Sequence, residues 1–235
     1  MIGKVALGAA FVASLVSASS AQAGVYNFNL SGSGITGAIS LTYAPNPTTG
    51  VLPGTSPNPV DPIGSYIVTG ISGTFSDSNI GLNDVVITGI VASNPAHPEP
   101  TNLLAPHSFG FYPIASGVTT PGGTAPGLSY DNLFYLNGSP QTASDYPFHG
   151  GVFDIYGIVF TLADGKGVNL WSNGNMGDGV TYGAGVTDGR TLLDYASPVH
   201  LAGVPEPATW ALMILGFGAI GAVARRERKR MPQRA

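Results

Sequence analysis

The chain of 235 residues contains no cysteine. That excludes a disulfide framework, a thiol nucleophile and any Cys-ligated metal or cluster. Charge is also scarce: 9% of residues are charged, against roughly 25% in an average soluble domain. Between residues 24 and 204 only two cations, Lys166 and Arg190, stand against eleven acids. Two cations cannot neutralise a run of phosphates, so the composition argues against nucleic-acid binding. Glu99, set between two prolines, is the one glutamate among those eleven, which leaves few paired carboxylates for glycoside hydrolysis. The four histidines, His97, His107, His149 and His200, fall in no tight metal spacing. No His-Glu-x-x-His helix motif, Gly-x-Ser-x-Gly elbow or Ser-x-x-Lys pair occurs, so the sequence carries no recognisable catalytic signature. Glycine (34) and proline (19) are abundant, yet 43% of residues are hydrophobic, enough to bury a core.

Both ends look like addresses. At the N-terminus Lys4 precedes a short apolar run, Val5 to Val16, and then the small-x-small site Ala21-Gln22-Ala23. This order predicts a secretory signal peptide over residues 1–23, cut by signal peptidase so that the mature chain begins at Gly24. Twelve apolar residues are too few to span a bilayer core of about 30 Å.

At the C-terminus Pro205-Glu206-Pro207 leads through Trp210-Ala211 into an apolar run ending at Ala224, followed by Arg225, Arg226, Arg228, Lys229 and Arg230. The pattern predicts a transmembrane helix over 208–224, with Trp210 at one interface and the basic block as a cytoplasmic stop. Gly216-x-Gly218-x-x-Gly221 matches the dinucleotide fingerprint in letters. It lacks the preceding strand and the acidic residue about 20 positions on that the fingerprint needs. Inside an apolar span such small residues let another helix approach.

This tail, with its Pro-Glu-Pro handle, Trp210-Ala211, glycine-rich span and basic end, resembles the PEP-CTERM sorting signal. The resemblance implies an exosortase in the inner membrane as partner and a C-terminal single-pass anchor before processing. It also implies a final place at the cell surface or in an exopolysaccharide or biofilm matrix. The stretches Tyr130–Tyr135, Phe153–Phe160 and Val168–Trp171 are similar to the bodies of other PEP-CTERM proteins of unassigned activity, and bring no catalytic residues with them.

Between the ends, residues 24–204 alternate with period two. Tyr26, Phe28 and Leu30 form one such face, Ile35 to Tyr43 a second, Ile67 to Phe75 a third, Val85 to Val91 a fourth and Phe153 to Val159 a fifth. Alternation of this kind, broken by Gly, Pro, Asn and Asp, reads as strands. The expected fold is all-β, an antiparallel β-sandwich or jelly-roll-like domain with long Pro-rich loops. Pro45–Pro62 contains six prolines and Asn94–Pro106 four; the first reads as disordered.

Two features suggest binding. Asn173, Asn175 and Asp178 alternate with glycines, either as a Ca²⁺ loop or as a turn whose Asn and Asp tolerate left-handed backbone. Trp171 is the candidate sugar contact, while most other aromatics are expected in the core. The sequence thus predicts an exported, exosortase-processed surface or matrix protein without evident catalysis and without a required cofactor. The alternatives are a carbohydrate-binding or Ca²⁺-dependent adhesin and a secreted hydrolase.

Overall fold

The structure is a computed structural model that describes residues 23–50, 58–94, 103–120, 123–141, 149–175, 177, 179–204 and 217. Its strands are β1 (Gly24–Gly32), β2 (Ile35–Pro45), β3 (Thr49–Gly50), β4 (Asp61–Pro62), β5 (Tyr66–Asp77), β6 (Leu82–Ile90), β7 (Gly110–Thr120), β8 (Gly123–Tyr130), β9 (Leu133–Phe134), β10 (Ile158–Leu162), β11 (Gly167–Asn175), β12 (Val180–Thr187) and β13 (Leu192–Val204). The alternation seen in sequence buries one face of the early strands. Phe28 and Leu30 of β1, and Ile35, Ile39 and Leu41 of β2, point inward and are almost fully buried.

All-β antiparallel architecture is as expected, but the layering is not a sandwich. One sheet runs in the order β2-β1-β13-β12-β11-β10-β6-β5, and β2 also pairs with β5. That last pairing is long, from Ile35↔Asp77 to Pro45↔Tyr66, and it closes the sheet on itself as a barrel. Closure leaves no free edge among these strands. Side chains fill the interior, with Phe28, Phe75, Phe153, Phe160 and Tyr182 among them. Two sheets facing each other would need two pairs of open edges; the β2–β5 ladder removes them.

The strands β10, β11 and β12 are buried on both faces, which erases their alternation. Val168, Leu170, Ala184 and Val186 face the core, so Gly167, Trp171, Gly183 and Gly185 face outward. Outside lies the β7–β8 hairpin, whose Ile114, Val118 and Leu128 form a small cluster with Tyr112 and Leu192.

The barrel has two unlike ends. At one, four short hairpins join β1 to β2, β5 to β6, β10 to β11 and β12 to β13; we call it the turn rim. At the other, the terminal rim, lie the long connections and the point where the chain enters β1 and leaves β13.

Two expectations need correction. Phe153–Gly157 is a turn rather than a strand. Asp154 Oδ1 accepts the amides of Tyr156 (2.9 Å) and Gly157 (3.2 Å), and Gly157 has φ +65 with no room for a Cβ beside Leu170 O. The ends of the Pro45–Pro62 loop are ordered, since β3 pairs with β4 in parallel and Asn46 is tied to Asp61; residues 51–57 lie outside the described residues. So does the predicted signal segment up to residue 22. The predicted span 208–224 also lies outside them, apart from Phe217. Among the described residues no helix is long and apolar enough to cross a membrane.

Candidate functional site

The two ends of the barrel chain emerge side by side. β1 and β13 are antiparallel neighbours, with Asn27 opposite Val204. The predicted cleavage point, Ala23–Gly24, therefore falls at the first residue of β1, next to the last residues of β13. Ala21 lies outside the described residues, as do Pro205, Glu206, Pro207, Trp210, Ala211 and the basic block Arg225, Arg226, Arg228, Lys229 and Arg230.

Trp171 is half-buried on the outer wall. Its ring lies over Gly183 of the neighbouring strand, where a Cβ would come within 2.2 Å of Trp171 Cζ2. The Tyr195 ring stands 5.2 Å from it at 40° and is 41% exposed. Trp171 Nε1 donates to Asn173 Oδ1 (3.1 Å), and Asn173 Nδ2 donates to Ser197 Oγ (3.1 Å). Asn175 Oδ1 accepts the amide of Gly177 (3.0 Å). Both Asn oxygens thus hold the local chain in shape; Asp178 lies outside the described residues.

The aspartates are where sequence reading missed most. Asp77, Asp131, Asp154, Asp164 and Asp188 each accept the backbone amide two residues ahead, the Asx-turn contact that makes Asp a turn residue. Asp61, fully buried, accepts four bonds: Ser108 N and Oγ at 2.8 Å, Asn46 Nδ2 at 2.8 Å and Thr48 Oγ1 at 2.9 Å. It fastens three chain segments at the terminal rim.

Asp131 and Asp154 form a buried carboxyl pair. Burial pushes both above the usual carboxylate range, and the Asp154 charge raises Asp131 further. Asp154 is the better served of the two, holding two amides and the Tyr135 hydroxyl (3.3 Å). Asp131 Oδ2 has no donor. A proton on Asp131 resolves this, because the neutral acid then donates to the Asp154 carboxylate. The two residues are buried, 1% and 3% exposed.

A second pair sits at the turn rim. Burial, with the Asp194 carboxylate beside it, pushes Asp77 up to about 6. Asn79 Nδ2 bridges to Asp194 Oδ2 (3.0 Å). No local pattern in the sequence carries the pairing of Asp77 with Asp194, far along the chain. Among the described residues no group of three or more His, Asp or Glu side chains could hold a metal ion.

A family model, the PEP-CTERM protein-sorting motif, matches residues 203–229. The chain carries a PEP-CTERM sorting motif. The matched segment contains Pro205, Glu206, Pro207, Trp210 and Ala211 and starts at the last two residues of β13. The motif implies exosortase-dependent export, with an anchored C-terminus before processing and a surface or extracellular destination. No curated protein and no solved structure matches the chain. The PEP-CTERM segment covers the tail alone, so what the barrel does is argued from its own residues.

Proposed function

We propose that the barrel, residues 24–204, is the mature cargo of the sorting tail. Signal peptidase releases it after Ala23, the 208–224 helix holds it in the inner membrane with Arg225–Arg230 inside, and an exosortase acts at the Pro205–Pro207 handle. It then takes a structural or interaction role in the exopolysaccharide or biofilm matrix at the cell surface. The observation carrying this reading is the sorting-motif match beginning at residue 203, where β13 ends at Val204. Folded barrel and processing handle adjoin with no linker to spare, so removal of the tail leaves every barrel ladder intact. The test is cell fractionation in an exosortase-bearing host. The parent chain is expected in the surface and medium fractions, and a variant with Pro205→Ala, Glu206→Ala and Pro207→Ala in the inner membrane. Equal distribution of the two would remove the basis for the proposal.

A carbohydrate-binding role has one specific support, the Trp171–Tyr195 pair on the outer wall. Two tilted rings on a glycine floor offer an apolar face beside the amide of Asn173, the combination that stacks on a sugar ring while hydrogen-bonding its edge. Retention of the protein on the host's own exopolysaccharide should fall several-fold on Trp171→Ala with the far-UV spectrum unchanged. Undiminished retention would refute this role.

A further inference from the structure

The barrel is polarised from end to end. Among the described residues, every Asp, Lys or Arg side chain that reaches solvent lies in the half towards the turn rim: Asp84, Asp164, Lys166, Asp188, Arg190 and Asp194. Asp61, Asp131 and Asp154, on the terminal side, are buried. The terminal rim instead exposes large apolar side chains. Val25 is 42% exposed, Val204 44%, Leu136 43% and Ile63 65%, while Val86 (56%) and Tyr195 (41%) stand singly in the other half, among its charges. Their common location follows from the ladders: Gly24 pairs with Tyr43, Pro45 with Tyr66, and Tyr66 with Phe134. His107 and His149 are the histidines near this end; Glu99, Asp145 and Asp178 lie outside the described residues.

The chain itself says what covers this face. Three residues, Pro205 to Pro207, separate Val204 from the start of the 208–224 helix, so four Cα-to-Cα steps reach at most about 14 Å at ~3.5 Å each. The headgroup layer on one side of a bilayer is roughly 6 Å deep. A span entering the membrane at Ala208 therefore draws the terminal rim down to the lipid surface, and the signal segment leaves the same rim beside it. Exposed apolar side chains are stabilised there, whereas the charged turn rim is not.

We propose that the terminal rim is a membrane-docking surface: before processing, the barrel stands on the bilayer with Val25, Ile63, Leu136 and Val204 in the headgroup layer and its charges pointing away. This rests on the tail acting as a membrane anchor. Docking holds the Pro205–Pro207 handle at the interface, where a membrane protease can reach it.

Absence of native cysteine allows single-site labelling of the full chain. Leu136→Cys, Ile63→Cys and, as a turn-rim reference, Lys166→Cys would carry an environment-sensitive fluorophore in phosphatidylcholine vesicles containing a headgroup-level nitroxide lipid. The Leu136 and Ile63 probes should be quenched at least about twofold more than the Lys166 probe, as seating in the interface requires. A chain that floats with the vesicles while all three probes quench alike overturns the docking proposal and leaves the anchor standing. A chain that does not float overturns both. Energy transfer between differently labelled copies at Leu136, without lipid quenching, would assign the rim to a second copy and likewise overturn the proposal.

Discussion

Asp61 and Asp131 are both buried carboxyls, yet they should answer oppositely to the same substitution. Asp61 accepts from four donors, so an amide there turns one acceptor into a donor facing donors. Asp61→Asn should cost about 2–3 kcal/mol in urea unfolding. A protonated Asp131 would donate to Asp154, a part an amide NH₂ also plays, so Asp131→Asn should cost less than about 1 kcal/mol. Equal losses would refute the proton placed on Asp131. The raised carboxyls also set a pH dependence. Asp77 at about 6 and Asp131 hold protons in the folded state that the unfolded chain, with ordinary values near 4, has released. The folded form then binds more protons, so stability falls as pH rises through about 6. The melting temperature should accordingly increase on going from pH 7 to pH 4.5, and Asp77→Asn should flatten that slope. A melting temperature that drops steadily over this interval would contradict the assignment. Only part of this was legible in sequence. Local Asx turns can be read from Asp followed two residues on by a turn, but Asp77–Asp194 joins residues brought together by barrel closure.

At the level of strands and hairpins, legibility followed burial. β1, β2, β5 and β6 have one wet face and alternate visibly, whereas β10 to β12 are covered on both faces and lose the period-two signal. Phe153–Gly157 alternates yet turns, because Asp154 captures two amides ahead of it and leaves none for a ladder. The β7–β8 hairpin contains Pro113 and Pro126 and shifts register between Pro113 and Val118, so its pattern is broken in sequence. Its middle, with Ile114, Val118 and Leu128, packs in a satellite cluster apart from the main core, while Phe111 N bonds Asn94 O at its base and Ser116 N bonds Arg190 O. Amides of residues 113–127 should therefore exchange through local opening, well ahead of those in β1, β2 and β13. Simultaneous exchange would mean that the hairpin belongs to the barrel's cooperative unit. The outer wall makes its own prediction. Gly183→Val places methyls where the Trp171 ring lies, and should red-shift Trp171 emission as the indole is lifted into water. An unchanged spectrum would contradict the close approach.

For the molecule as a whole, the sorting tail was legible in the sequence, but its relation to the proposed signal segment was not. The tail is recognisable because it is local, a short handle, a run of apolar residues and flanking charge, and the proposed signal segment is read from the same kind of pattern. That both should leave one rim of a closed barrel depends on β1 lying beside β13, a contact between the two ends of the body that no local pattern encodes. The same nonlocal closure separates the charged turn rim from the apolar terminal rim. The most direct measurement is the intact mass of the protein recovered from the surface of an exosortase-bearing host. The account predicts a chain beginning at Gly24 and ending within Pro205–Pro207, alone or with a small adduct at its new C-terminus. A surface protein that still carries Arg225–Arg230 would contradict it.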